Sequence, residues 1–154
     1  MQPKTFLRTL SVIHSALCAG LLLFTALAYW QNSGFKVAAT SGDIFVYIVP
    51  TVAMLGYFGS KFIHQKLIGN LPKEEKLPHK LARYQAASLI KYALIEGPAL
   101  IALFAYFQSG TALYLVIALA LLMYLYAQRP TQKRLLQEIP LNFEEKKLFD
   151  TFRS

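Results

Sequence analysis

The chain has 154 residues, 55% of them apolar, with a positive mean hydropathy and a formal net charge of +8. That apolar content exceeds what a soluble domain of this length needs to bury, and one cysteine excludes a disulfide framework or a CxxC redox pair. The charge does not signal nucleic acid: basic residues flank apolar blocks on one side, interleaved with acids and without a recognition motif, so anionic inner-leaflet headgroups are the expected partner.

Lys4 and Arg8 precede a first apolar block over residues 12–30. As a helix it is long enough to cross a hydrocarbon core of about 30 Å. Ala26-Leu27-Ala28 near its end also fits a signal-peptide cleavage site. An internal repeat, set out below, argues instead for a retained span. Cys18 lies inside it and is expected to pack as a small apolar group. Residues 32–43 form a loop with Gly34, Gly42 and a single cation, Lys36.

A second block, 44–63, contains Pro50 and leads into a basic stretch with Lys61, Lys66, Lys73, Lys76, Lys80 and Arg83. His64 and His79 in that stretch are expected to be solvated. Residues 71–78 read as a turn with a short interfacial helix. Blocks at 86–107 and 112–127 follow, separated by a few residues around Ser109-Gly110. Arg129, Lys133, Arg134, Lys146, Lys147 and Arg153 come after the last block. Asn142 with Glu145 three residues on has the capping-box pattern, so the tail is expected to form an amphipathic helix with Phe143, Leu148, Phe149 and Phe152.

Only helices satisfy backbone groups within lipid, so the fold class expected is an all-α integral membrane four-helix bundle. The basic residues put both termini and the central loop in the cytoplasm of a multi-pass inner (plasma) membrane protein. Tyr29, Trp30, Tyr106 and Phe107 are then expected as aromatic anchors at the outer interface. Lys61, Lys66, Arg129, Lys133 and Arg134 are expected to meet lipid headgroups.

The chain is also written twice. Residues 11–31 align without gaps on 88–108, with nine of 21 positions identical. The match resumes at an offset of 68 with Lys61/Arg129, Lys66/Arg134, Leu67/Leu135, Leu71/Ile139 and Pro72/Pro140. Two tandem, co-oriented hairpins are expected, 1–78 and 79–154, related by an axis along the membrane normal. Ala16 and Gly20 in the first copy recur as Ala93 and Gly97 in the second. Small residues four apart let helix backbones approach, so these positions predict that helices one and three pack at the centre.

Glu96 is the one acid inside any of the four blocks, and its counterpart in the first copy is Ala19. An ionisable group at that depth is either a proton or ion site or a structural carboxyl fixing one helix against another. His14 and Lys91, at equivalent repeat positions, are its candidate partners. Pro98, two residues on, removes an amide donor and frees a carbonyl near residue 94. Arg83-Tyr84-Gln85, then Ala93-Leu94-Ile95-Glu96-Gly97-Pro98, resembles the ion-binding helix of the rotor-ring proteolipid (subunit c) of F- and V-type ATPases. The resemblance covers one helix, and implies that Glu96 carries an ion or a proton. Helix two has only Gly56 and Gly59 where that family has a glycine repeat.

No metal-ligand spacing, phosphate loop or nucleophile elbow occurs, and no cofactor is expected. The function expected is that of a non-enzymatic accessory or assembly component, working as a homo-oligomer or with a membrane protein partner. The alternative is a proton- or ion-carrying element acting through Glu96.

Overall fold

A computed structural model describes residues 3–38 and 42–151. Phe152 and Arg153 lie outside the described residues, as do the side chains of Lys4 and Leu148. Six helices follow one another: α1 (Pro3–Asn32), α2 (Phe45–Gly69), α3 (Leu77–Ser109), α4 (Ala112–Ala127), α5 (Gln132–Glu138) and α6 (Phe143–Thr151). The first three are long and apolar enough to cross a membrane; α4 makes a fourth if it is counted with α5, from which an 81° bend separates it. Pro130 lies at that bend, where the helix cannot run on.

α3 is the axis of the bundle. It packs against α1, α2 and α4, whereas α1 has little against α2. Half of its most apolar stretch is buried, against about a fifth for α1 and α2. Contacts fix the helix directions. The His14 ring packs on Tyr92 with centroids 4.9 Å apart, and the Asn32 amide donates to the carbonyls of Tyr106 at 3.0 Å and Phe107 at 3.3 Å. Like ends of α1 and α3 therefore meet, and Asn32 donates to carbonyls in the last turn of α3. Gly110 ends α3 in the left-handed region, φ 70°, its amide bonded back to Tyr106. A short bridge then ties the first loop to the α3–α4 turn: the Lys36 amide donates to the Gly110 carbonyl, and the Ala112 amide to that of Lys36, both at 3.0 Å. The Tyr114 hydroxyl donates to Asp43, joining the starts of α2 and α4.

The repeated small residues do not mark a close backbone approach within the bundle. Ala16, Gly20 and Ala93 are exposed, and neither Gly20 nor Gly97 has any atom within 4 Å of where a Cβ would stand. Spacing of four tells which residues share a face, not which face turns inward. The close approach lies at Gly56 of α2, where a methyl group would overlap the Leu94 carbonyl oxygen and the Pro98 ring. Pro98 removes the amide that would have bonded Leu94, and the bare glycine covers the oxygen left open.

Three further expectations change. The third helix begins at Leu77 rather than 86, with Pro78 in its first turn, where a proline costs no hydrogen bond. Residues 71–76 form a turn without a helix, since prolines at 72 and 78 leave too few residues to nucleate one. Tyr106 is fully buried, so it anchors packing rather than an interface; Trp30 and Tyr29 are exposed. The tail helix does form, with the Asn142 amide donating to Glu145 at 2.8 Å.

Gly56→Ala should destabilise the bundle by about 1–3 kcal/mol through overpacking, read as thermal unfolding in detergent. Gly20→Ala, where the added methyl meets nothing, should leave the midpoint unchanged or raise it slightly. Equal effects from the two changes would contradict the assigned crossing point.

Candidate functional site

Glu96 sits 13 residues before the end of α3, or about 20 Å along it at 1.5 Å per residue. Its side chain is half-buried and makes no hydrogen bond or ion pair with any described residue. The structure brings neither expected base to it. His14 turns to α4, its Nε2 lying 2.8 Å from the Leu125 carbonyl and 3.9 Å from Cys18 Sγ. Lys91 is buried and donates to Gln128 Oε1 at 3.4 Å. Lys91 and Glu96 are five residues apart and so point about 140° from each other around the helix. Pro98 is buried against Gly56, so the carbonyl it frees is engaged with α2.

A polar network that sequence reasoning missed occupies the end of the bundle carrying the basic residues. His64, expected in solvent, is buried on α2, and its Nε2 lies 3.1 Å from Glu138 Oε2 on α5. The signal was present: Gly56, Ser60, His64 and Ile68 recur every four residues, and all four are buried. Burial resists ionisation of Glu138, but the His64 hydrogen bond and the Lys91 charge outweigh it and hold the carboxyl below its ordinary range. Gln128 ends α4 and links three elements. Its side-chain oxygen accepts from Lys91 and, at 2.9 Å, from Arg134 Nη1; its backbone carbonyl accepts from the Tyr92 hydroxyl at 3.3 Å. Arg134, expected at headgroups, is thus turned inward. Lys61, Lys66, Arg129 and Lys133 remain exposed, with Lys61 Nζ 2.6 Å from the Tyr57 hydroxyl.

A second buried cation fastens the tail. Lys80 is completely enclosed, and its Nζ donates to Glu145 of α6 and to the Lys73 carbonyl, each at 2.9 Å. No sequence pattern marks it, because enclosure depends on where α6 folds back. His79, one residue earlier, is exposed and only 3.9 Å from Glu75. Among the described residues no cluster of three or more His, Cys, Asp or Glu is arranged to hold a metal ion. Comparison with known proteins gives no match to a family model, a curated protein or a solved structure, so the site is read from its own chemistry.

Glu145→Gln leaves the Lys80 ammonium enclosed without a counter-charge. A loss of about 3–5 kcal/mol is expected, with α6 exchanging its amide hydrogens sooner than α3. Glu138 supplies a pH dependence. A carboxyl whose folded pKa is depressed contributes stability that is whole above its unfolded value of about 4.3 and is lost as pH falls through the lower folded value. The stability difference between the wild type and Glu138→Gln should hold steady above about pH 5 and shrink below pH 4 in melting experiments.

Proposed function

We propose that this protein is a small non-enzymatic component of a membrane assembly, which meets a second copy of itself through the α3 face that carries Glu96. Both termini and the α2–α3 connection lie in the cytoplasm, and the two halves of the chain descend from a tandem duplication. The nine identities over residues 11–31 and 88–108 support the duplication, and five buried positions of α1 (10, 14, 18, 21 and 28) have buried counterparts 77 positions on, whereas Phe6 is buried and Arg83 exposed.

The single observation carrying this reading is that Glu96 makes no hydrogen bond or ion pair among the described residues, with the Cys18 thiol of α1 as an electrostatic neighbour. Ala93 and Leu100, one turn to either side, are its exposed neighbours on α3, and Ile90 and Gly97 lie farther round the same outward surface. A charged side chain at that depth costs about 2.5–3.5 kcal/mol on insertion scales. A two-fold interface sets the same carboxyl opposite itself, and two carboxyls that share a proton carry one negative charge between them and give each other a hydrogen-bond partner. Ala93 and Gly97, four apart and unobstructed, let the two α3 backbones approach. The same lone carboxyl favours a second reading, proton or ion carriage through Glu96. Against it stands the Leu94 carbonyl, the one backbone group freed nearby, which is covered by Gly56.

Subunit counting by photobleaching in liposomes tests both. Pairs are expected for the wild type, fewer for Glu96→Gln, whose amide cannot share a proton, and single copies for Gly97→Leu, whose side chain projects into open space. Single wild-type copies at every protein density would refute the assembly reading. A proton flux through wild-type liposomes that Glu96→Gln abolishes would establish carriage instead.

A further inference from the structure

Beside the His64–Glu138 pair lies a cleft of about 480 Å³, lined by Lys61, His64, Lys91, Tyr124, Gln128 and Glu138 among others. Its charges do not balance. Lys91 is 94% buried, yet only one long hydrogen bond, to Gln128, occupies its three donors. The same oxygen also holds Arg134, so two cations converge on one neutral acceptor. Lys61 stands at the rim, its Nζ 4.2 Å above the Tyr57 ring and 6.0 Å from that of Tyr124. One carboxylate, Glu138, answers these three cations, and it is already engaged by His64. Even with half a negative charge from the C-terminal end of each of α2 and α4, about one positive charge is left over.

Tyr124 also lines a second space of about 320 Å³, a groove between α2 and α4. Its other walls are apolar: Ala53, Met54, Phe58, Ile117 and Ala120 are among them. A cationic cleft thus opens onto an apolar groove, with Tyr124 common to both. The levels along the bundle agree. Lys91 lies about 27 Å from the far end of α3, and Lys61 about 24 Å from the start of α2, taking 1.5 Å per residue. In a hydrocarbon core about 30 Å thick, those cations stand near the boundary where phospholipid phosphates sit.

We propose that cleft and groove together bind one anionic glycerophospholipid, its phosphodiester against Lys91 and Lys61, with the Arg134 charge behind Gln128, and one acyl chain between α2 and α4. A soluble phosphate ester would use the same cations but leave the groove empty. Association of α3 faces is not required, so this site and the pairing through Glu96 stand or fall separately.

Native mass spectrometry of the full chain in maltoside detergent, titrated with dioleoyl phosphatidylglycerol, tests the assignment. One lipid per chain is expected to stay bound. Lys91→Met should weaken retention about tenfold or more, the order expected for a lost charge-assisted hydrogen bond, and Lys91→Arg should restore it. Lys61→Met, at an exposed position, should act in the same direction and guards against misfolding as the cause. Ala120→Phe, which fills the groove, should also expel the lipid. Three results would overturn the proposal: unchanged retention in Lys91→Met and Lys61→Met, equal retention of phosphatidylcholine, or displacement by glycerol 1-phosphate with no effect of Ala120→Phe.

Discussion

The bundle depends on one close crossing. Pro98 opens the hydrogen-bond ladder of α3, and Gly56 brings the backbone of α2 against the carbonyl thus exposed. In a lipid environment an unmet carbonyl is expensive, so the two irregularities have to coincide. With α2 held to α3 at this point, its lower half descends beside α3, presenting Ser60, His64 and Ile68 inward. α4 stops at Ala127, more than two turns short of what α2 reaches, and the chain then swings sideways into α5. The polar space among Lys91, His64 and Glu138 exists because one helix runs on where the other ends.

Two kinds of ionisable group result, and their surroundings separate them. His64, Lys80, Lys91, Arg134, Glu138 and Glu145 are knitted across α2, α3, α5 and α6, where paired charges tolerate burial. Glu96 stands outside that network on a face of small and apolar residues. The first group holds the short helices against the long ones. The second forms no ion pair or hydrogen bond among the described residues.

Much of this was legible in the sequence, and the limits are physical. Runs of apolar residues marked the helices at 12–30, 44–63, 86–107 and 112–127, since length and hydropathy are local properties. Glu96 stood out because it is alone. The Ala16/Gly20 and Ala93/Gly97 pairs were misleading, because small residues recur at helical spacing on outward faces as readily as on inward ones. The burial of Lys80 was illegible, as it requires α6 to return over α3 through a link 65 residues away in the chain. His64 was legible in hindsight. Its four-residue stripe with Gly56, Ser60 and Ile68 pointed inward, but proximity to lysines made it read as solvated.

The scant contact between α1 and α2 has a bearing on biogenesis. Neighbours in sequence that do not pack cannot assemble as a hairpin on their own, so the opening pair of helices must wait for α3 to arrive between them. From the end of α2 to the end of α3 the ribosome adds 40 residues. At 5–20 residues per second, that delay lasts about 2–8 s. Through that interval the nascent helices have only lipid and the insertion machinery for company, and the polar side of α2 remains unsheltered until translation supplies its cover.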